Sequence, residues 1–403
     1  MSPATGQPPR FVTLILLCGL PVVSLNMFLP SLANIAADFG ARYALVSLSI
    51  AGYAAMTAVL ELIMGPLSDR FGRRPVILSG LAIFCLASLG CVLATDVATF
   101  LVFRMMQAAI ISGYTVSLAV IRDTSRARKA ASLMGYIAMA YAIGPMLAPL
   151  FGGALDELFG WRASFWAFVC FGLAVLGLSW FDLRETNRNP SETLMQQLRS
   201  YPELLAARRF WGYALCTAFS SGGFYTFLAG APLVASVLFE VSTARLGIYM
   251  GSITGGFVFG SFIAGRFAAR HALTTMMIAG RIVACVGLLL GLLALLAGIV
   301  HEMTLFGACV FYGVGNGITM PSSSAGAPSV KPSLAGSAAG LSGALALAGG
   351  ALMSGLTGAV LTEQNAAAGL LGMMLLASAL GLAAALYVLW EDNLEVGARA
   401  PDG

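Results

Sequence analysis

The chain has 403 residues, 59% of them hydrophobic and only 10% charged, with a mean hydropathy of +0.87. Soluble domains carry about 25% charged residues, so a soluble globule is excluded, and no polar stretch is long enough for a soluble domain on a single anchor. The net charge of +4 is too small to mark a nucleic-acid binder.

The polar segment Met1–Arg10 is short, and the apolar run behind it lacks a small-residue cleavage pattern, which predicts a retained helix rather than a signal peptide. A membrane helix needs roughly 20 mostly apolar residues. Such runs fit at about 12–32, 43–64, 75–95, 98–121, 131–154, 163–181, 211–237, 246–267, 273–299, 304–321, 335–361 and 367–389, twelve in all. The tenth is short and glycine-rich (Gly313, Gly315, Gly317). With the N-terminus inside, the inner loops collect 17 Arg and Lys residues and the outer loops 3 (Arg42, Arg162, Arg245). That bias fits the positive-inside rule and predicts two cytoplasmic termini. Short loops and an Arg-rich, Lys-poor composition point to a bacterial inner membrane.

The one long polar stretch, Asp182–Arg209, separates six spans from six. The expected organisation is therefore an N-terminal six-helix bundle (1–181), a cytoplasmic linker (182–209) and a C-terminal six-helix bundle (210–403). The spacing of Leu194, Leu198, Leu204 and Leu205 behind Ser191 suggests a helix on the membrane surface inside that linker. The charged junction after the second span has a faint echo, Ala264-Gly265-Arg266-Phe267-Ala268-Ala269-Arg270, after the eighth, as a duplicated transporter would show. The seven cysteines all lie in apolar runs with no CxxC or Cys/His cluster, so they read as small buried hydrophobes, with no metal and no cofactor expected.

The junction itself is Gly65-Pro66-Leu67-Ser68-Asp69-Arg70-Phe71-Gly72-Arg73-Arg74-Pro75. It resembles the signature loop of the major facilitator superfamily, G-x-L-x-D-R-x-G-R-K/R. Phe103-Arg104-Met105-Met106-Gln107 is similar to that family's arginine motif, with Ala108 where a glycine is usual. Gly144-Pro145 followed by Gly152-Gly153 resembles the antiporter motif. Leu29-Pro30 with Ile35-Ala36-Ala37-Asp38-Phe39, Arg122-Asp123, and Gly160-Trp161-Arg162-Ala163-Ser164-Phe165 are similar to the bicyclomycin/chloramphenicol-resistance exporters. The resemblance implies an all-α membrane protein of twelve helices in two pseudo-symmetric bundles. It also implies alternating access about a central cavity, with drug efflux by proton antiport. One position departs: those exporters usually carry a carboxylate four residues before the proline of the first helix, and here it is Asn26. Asn cannot titrate, so either protons travel elsewhere or the coupling differs.

Ionisable residues inside spans are the natural functional candidates, and three qualify: Glu61, Arg104 and Arg281. An unpaired guanidinium at the depth of Arg104 must face a wet cavity or a partner, and the resemblance implies the central cavity. Glu61, one turn before Gly65, is either a displaced proton carrier or an interfacial residue pairing with Arg73, Arg74 or Arg128. Arg281, in a span expected at the periphery, reads as an arginine reaching out to the interface. Asp69 is either a gate, held with Arg73 against the positive N-terminus of the eleventh helix near Pro332-Ser333, or a turn residue beside arginines. Asn26, Tyr53, Arg104, Tyr114, Tyr141 and Tyr225 are the expected cavity residues, and small residues along the eighth and eleventh spans should let backbones approach.

A mostly uncharged, aromatic cavity suits small amphipathic compounds and argues against sugar phosphates. No ATP-binding loop is present, and the only histidines, His271 and His301, lie at loops, so neither a self-powered pump nor an intramembrane enzyme is expected. The expected partners are a small-molecule substrate, protons and the lipid bilayer, around a monomer. An uncoupled or importing facilitator for a small metabolite is the alternative that Asn26 favours.

Overall fold

The computed structural model describes residues 9–124, 127–186, 202–267, 270–331 and 334–399, without the side chains of several residues in 122–142 and beyond 394. Among them every regular element is helical: α1 Phe11–Asn26, α2 Leu32–Asp38, α3 Tyr43–Phe71, α4 Arg73–Leu93, α5 Val97–Met106, α6 Ile111–Thr124, α7 Ala127–Phe159, α8 Arg162–Asp182, α9 Arg208–Leu238, α10 Thr243–Phe267, α11 Leu273–Leu296, α12 Glu302–Ser329, α13 Ala335–Val360 and α14 Ala366–Arg399. Two 3₁₀ turns, Leu29–Ser31 and Gln107–Ile110, join α1 to α2 and α5 to α6, so each of those pairs makes one bent span. Eleven helical segments are long and apolar enough to cross a bilayer, and α7 stands where the remaining run, 131–154, was expected.

Lipid explains the all-helical outcome, because backbone groups in hydrocarbon must find partners within their own segment. The ends are set locally. Asp96 caps α5, its carboxylate accepting from the Thr99 amide (2.9 Å) and hydroxyl (2.6 Å); these bonds hold that carboxyl below the usual carboxylate range. His301 caps α12 by accepting from the Met303 amide at 3.1 Å. Gly72 (φ +99°) breaks α3 from α4, and Gly160 (φ +79°) breaks α7 from α8.

In the first half α1 packs on α6 and α7, α3 on α6, and α4 on α5 and α8; in the second, α9 packs on α12, α13 and α14, and α11 on α12 and α14. The halves meet mainly through two pairs, α3 with α13 and α7 with α10, with smaller contacts of α9 on α2 and α3. Large apolar side chains such as Leu86, Phe181, Phe262 and Leu290 are exposed, as a lipid-facing surface requires. Five cysteines are buried, Cys285 is partly buried, and Cys170 is exposed. The tenth span, expected short, is a 28-residue helix with Pro321 inside it. The expected surface helix at 191–205 falls largely outside the described residues. The small residues of α10 do not share one side: Gly247 and Gly251 meet α7, whereas Gly256 and Gly260 meet α12. Two i,i+4 pairs five residues out of step address two neighbours.

Candidate functional site

Arg104 occupies the last turn of α5, just before the 3₁₀ turn. It has no exposed surface. One terminal nitrogen donates to the Gln107 Oε1 at 2.6 Å and the Ser24 hydroxyl at 3.1 Å; the other donates to the Ser24 carbonyl at 2.8 Å. That carbonyl lies in the last turn of α1, where a helix leaves acceptors open. Gln107 donates onward to the Ser88 hydroxyl at 2.7 Å. The guanidinium lies between the rings of Phe28 and Tyr53, 4.3 and 4.2 Å from their centroids. Among the described residues no carboxylate pairs with it, and its Nε has no hydrogen-bond partner. The expected wet cavity wall is therefore a dry cage of neutral oxygens and two aromatic rings.

Other expected cavity residues gather around this cage. Tyr53 is buried, and Tyr225 of α9 stands within electrostatic reach of Tyr53, Arg104 and Glu61. The Tyr225 ring packs on Gly350 of α13, where a Cβ would overlap it. Tyr114 of α6 is half-buried and within reach of Glu61. Glu61 points at the other half: its Oε1 lies 3.7 Å from where a Cβ would stand on Gly343 of α13. The loop arginines Arg73 and Arg74 have other partners, so the expected pairing of Glu61 with them is not what forms; Arg128 lies outside the described side chains. Asn26 turns back on its own helix, donating to the Val22 carbonyl at 2.8 Å and leaving its buried Oδ1 without a partner. The Tyr141 side chain lies outside the described residues.

The loop after α3 folds on itself. Asp69 pairs with Arg73 at 2.5 Å, and Arg73 also reaches Asp123 at 3.1 Å and the Ser68 hydroxyl at 2.6 Å. Glu185, just past α8, caps the start of α4, accepting from the Arg73 amide (2.9 Å) and the Arg74 amide (3.2 Å). A Cβ at Gly72 would overlap that carboxylate, so position 72 needs glycine for space as well as for its positive φ. Arg74 donates to the Trp180 carbonyl and lies over its ring at 5.2 Å; Arg70 lies over Phe71 at 5.3 Å. A Cβ at Gly65 would meet open space. Pro332 and Ser333, the expected docking point of Asp69, lie outside the described residues.

At the opposite end the halves touch closely. Gly152 of α7 faces the Met27 carbonyl, and Gly153 faces the Thr243 carbonyl of the second half. The Thr243 hydroxyl donates to the Gly153 carbonyl at 3.1 Å, and the Ala244 amide, at the start of α10, donates to Glu157 at 3.3 Å. Gly247 and Gly251 bring α10 against the Pro149 and Met146 carbonyls. Tyr43 of α3 donates to the Ala229 carbonyl of α9 at 2.5 Å. Gly144 abuts Val22 of α1, one residue before Pro145. Two motifs quoted separately in the sequence also meet here: Arg162 pairs with Asp38 at 2.8 Å, and the Trp161 indole donates to the same carboxylate at 3.3 Å.

The sequence profile of the Major Facilitator Superfamily matches residues 14–354. The chain belongs to the major facilitator superfamily. It is 32% identical to the multidrug resistance protein MdtL of Shigella flexneri over 81% of this chain and 84% of that one. It is 31% identical to an MFS-type transporter of Bacillus subtilis, YdgK, over 83% and 85%. It is 28% identical to a bicyclomycin resistance protein homologue of Haemophilus influenzae over 88% and 90%. In fold it superposes with TM-score 0.77, at 17% identity and 98% coverage of both chains, on a bacterial homologue of the human lysosomal transporter Spinster in an inward-facing, unoccupied conformation. Twelve membrane helices in two six-helix bundles is thus the architecture, and the family and its named relatives are transporters.

One expectation for this superfamily member is overturned. Arg281 does not reach out to the interface: it has no exposed surface. Its Nε donates to the Thr319 hydroxyl at 3.1 Å and a terminal nitrogen donates to Asn316, both on α12. Glycines explain the difference, because Gly280 and Gly315 let α11 and α12 approach to backbone contact and seal the arginine inside. The available signal was the i,i+3 pair Asn316 and Thr319 on a glycine-rich helix, which gives a neighbouring cation two acceptors on one face.

Proposed function

We propose that the chain is a secondary active exporter of small amphipathic compounds, working by alternating access and driven by proton antiport. The observation that carries this reading is the convergence, at the meeting of the two halves, of Tyr53, Arg104 and Glu61 from the first half with Tyr225 and Gly343 from the second. An aromatic site with one acid and one caged arginine suits flat, weakly polar compounds. The names of the bicyclomycin- and multidrug-resistance relatives support the same substrate class. In this reading the bundles are 1–181 and 210–403, both termini are cytoplasmic in a bacterial inner membrane, and the monomer is the working unit.

Glu61 is then the proton carrier in place of the missing carboxylate at Asn26. The contacts at the Gly152–Gly153 end close the outer side, and the Asp69–Arg73 loop closes the inner side in the alternate state. Drug-sensitivity profiling in a pump-deficient bacterium gives the substrates, and flux into proteoliposomes with and without a pH gradient tests the coupling. Export that follows the gradient is the expected result; flux indifferent to it supports an uncoupled facilitator, the reading that Asn26 favours.

A further inference from the structure

Arg281 is the second guanidinium sealed inside this membrane protein, and no motif accounts for it. A buried cation without a carboxylate is costly, while individual interhelical hydrogen bonds in membranes are weak. Its bonds to neutral oxygens therefore do not account for its presence by strength alone. What they arrange is more telling.

Asn316, gripped by Arg281, donates its own amide to the Ser220 carbonyl of α9 at 3.0 Å. The Tyr312 hydroxyl donates to the same carbonyl at 2.6 Å, so two side chains of α12 converge on one backbone oxygen of α9. Gly223 makes room, since a Cβ there would overlap the Tyr312 hydroxyl. Arg281 also lies 5.7 Å from the Tyr312 ring centroid. The residue after Phe224 is Tyr225, whose ring packs on Gly350 of α13, the helix that meets α3 of the first half, and which stands within electrostatic reach of Tyr53 and Arg104.

The first half has a matching device. There Arg104 itself binds the Ser24 carbonyl, near the end of α1, and the helix gives way before Phe28, which lies against the guanidinium. In each half a buried arginine, directly or through one amide, holds a carbonyl of the leading helix just before an aromatic residue that faces the other half or the cage.

We propose that Arg281 is a positioning residue: by holding Asn316, which with Tyr312 grips the Ser220 carbonyl, it sets how α9 seats against α12 and so fixes Tyr225 in the transport cavity. This rests on reading the space around Tyr225 as that cavity, and the test separates the two. Incorporate 3-fluorotyrosine at position 225 of the full-length protein in lipid nanodiscs and record its ¹⁹F spectrum. Arg281→Met, Asn316→Ala and Tyr312→Phe should each shift or double the resonance in the same direction, and Arg281→Lys should restore most of the native line. Leu371→Ala, a buried truncation elsewhere in the second half, should lower thermal stability and leave the line in place. In parallel, ethidium efflux from cells should fall roughly tenfold in Arg281→Met and recover in Arg281→Lys. Should Arg281→Met fail to fold, Tyr312→Phe removes only the hydroxyl and carries the test. An unmoved resonance in Tyr312→Phe, or an equal shift in Leu371→Ala, overturns the proposal. A resonance that moves while the native protein exports no ethidium upholds the positioning role and removes support from the exporter reading.

Discussion

Among the described residues the two fully buried arginines, Arg104 and Arg281, teach by contrast. Arg104 is caged by aromatic rings and by oxygens from α1 and its own last turn, at the junction where two bent spans meet. Arg281 is caged by polar groups of one neighbouring helix, α12, with Gly381 against its side chain and with Gly280 and Gly315 bringing α11 and α12 into backbone contact beside it. Rings tilt and slide, whereas glycine contacts place backbone against backbone and leave no slack. The first site is built to rearrange when its occupant or a nearby charge changes; the second is built to hold still and pass its geometry to α9. Neither has a carboxylate partner among the described residues, and each already leaves one buried guanidinium nitrogen without a hydrogen-bond partner (Arg104 Nε, one terminal nitrogen of Arg281), so in both the cation depends on a few neutral acceptors, and losing any one leaves a buried charge less satisfied.

The strongest way to break the comparison is Arg104→Ala. It should abolish efflux of every exported compound while the amount of protein in the membrane stays within about twofold, because removing the charge also removes its desolvation cost. Normal efflux with normal expression, measured by dye extrusion and immunoblot, would take Arg104 out of the mechanism. Next in size is the glycine contrast. Gly280→Ala should cost about 2–3 kcal/mol, because its methyl would lie 2.5 Å from the Gly315 carbonyl, which cannot move without α12. Gly52→Ala, beside Arg104's helix, meets only the side chain of Met105, its flexible terminal methyl nearest, and should cost under about 1 kcal/mol. The yields of monodisperse protein after heating rank the two; equal losses would mean that the sites are equally rigid.

Much of this was legible in the residues. Charge depletion and Arg/Lys placement dictated the spans, and the loop Gly65–Arg74, the Arg104 motif and Gly144–Gly153 all fall at the junctions the structure uses. Arg281 was misplaced because periodicity along one helix says nothing of how close its neighbour comes, and that closeness depends on Gly280 facing Gly315. Glu185 was invisible for a related reason: a carboxylate just past α8 caps α4, a contact 112 residues apart for which short-range patterns carry no signal. Arg104 was singled out as facing a wet cavity or a partner, but which of the two was not legible, because the rings that cover it come from the turn after α1 (Phe28) and from α3 (Tyr53).

Glu61 sharpens the first site's side of the contrast. If the Arg104 region is the one that rearranges, Glu61, which has Tyr225 as a neighbour in common with Arg104, should matter for coupling more than for binding. Glu61→Gln keeps the shape and removes the titration, so gradient-driven flux in proteoliposomes should lose its dependence on pH while equilibrium binding of the same compound changes less than threefold, under about 0.7 kcal/mol. Unchanged pH dependence would return Glu61 to the role of an interfacial residue beside Gly343.

The smallest effects come from the outermost acceptors, and they probe whether the cages differ as described. Ser88→Ala removes the hydroxyl that Gln107 donates to, one step away from Arg104. Thr319→Val removes the hydroxyl that Arg281 Nε donates to directly. Each deletes one neutral hydrogen bond, worth about 1 kcal/mol in general. In the ring-lined site Gln107 keeps its bond to Arg104 and can turn, so Ser88→Ala should cost less than that and leave efflux near native. In the glycine-walled site nothing can move in to replace the lost oxygen, so Thr319→Val should cost at least the full amount and reduce efflux several-fold through Tyr225. A pair of thermal melts and a pair of dye-efflux rates decide it. Equal costs at the two positions would show that ring and glycine walls give the two guanidinium groups the same freedom, and the division into a moving half and a holding half would have to be abandoned.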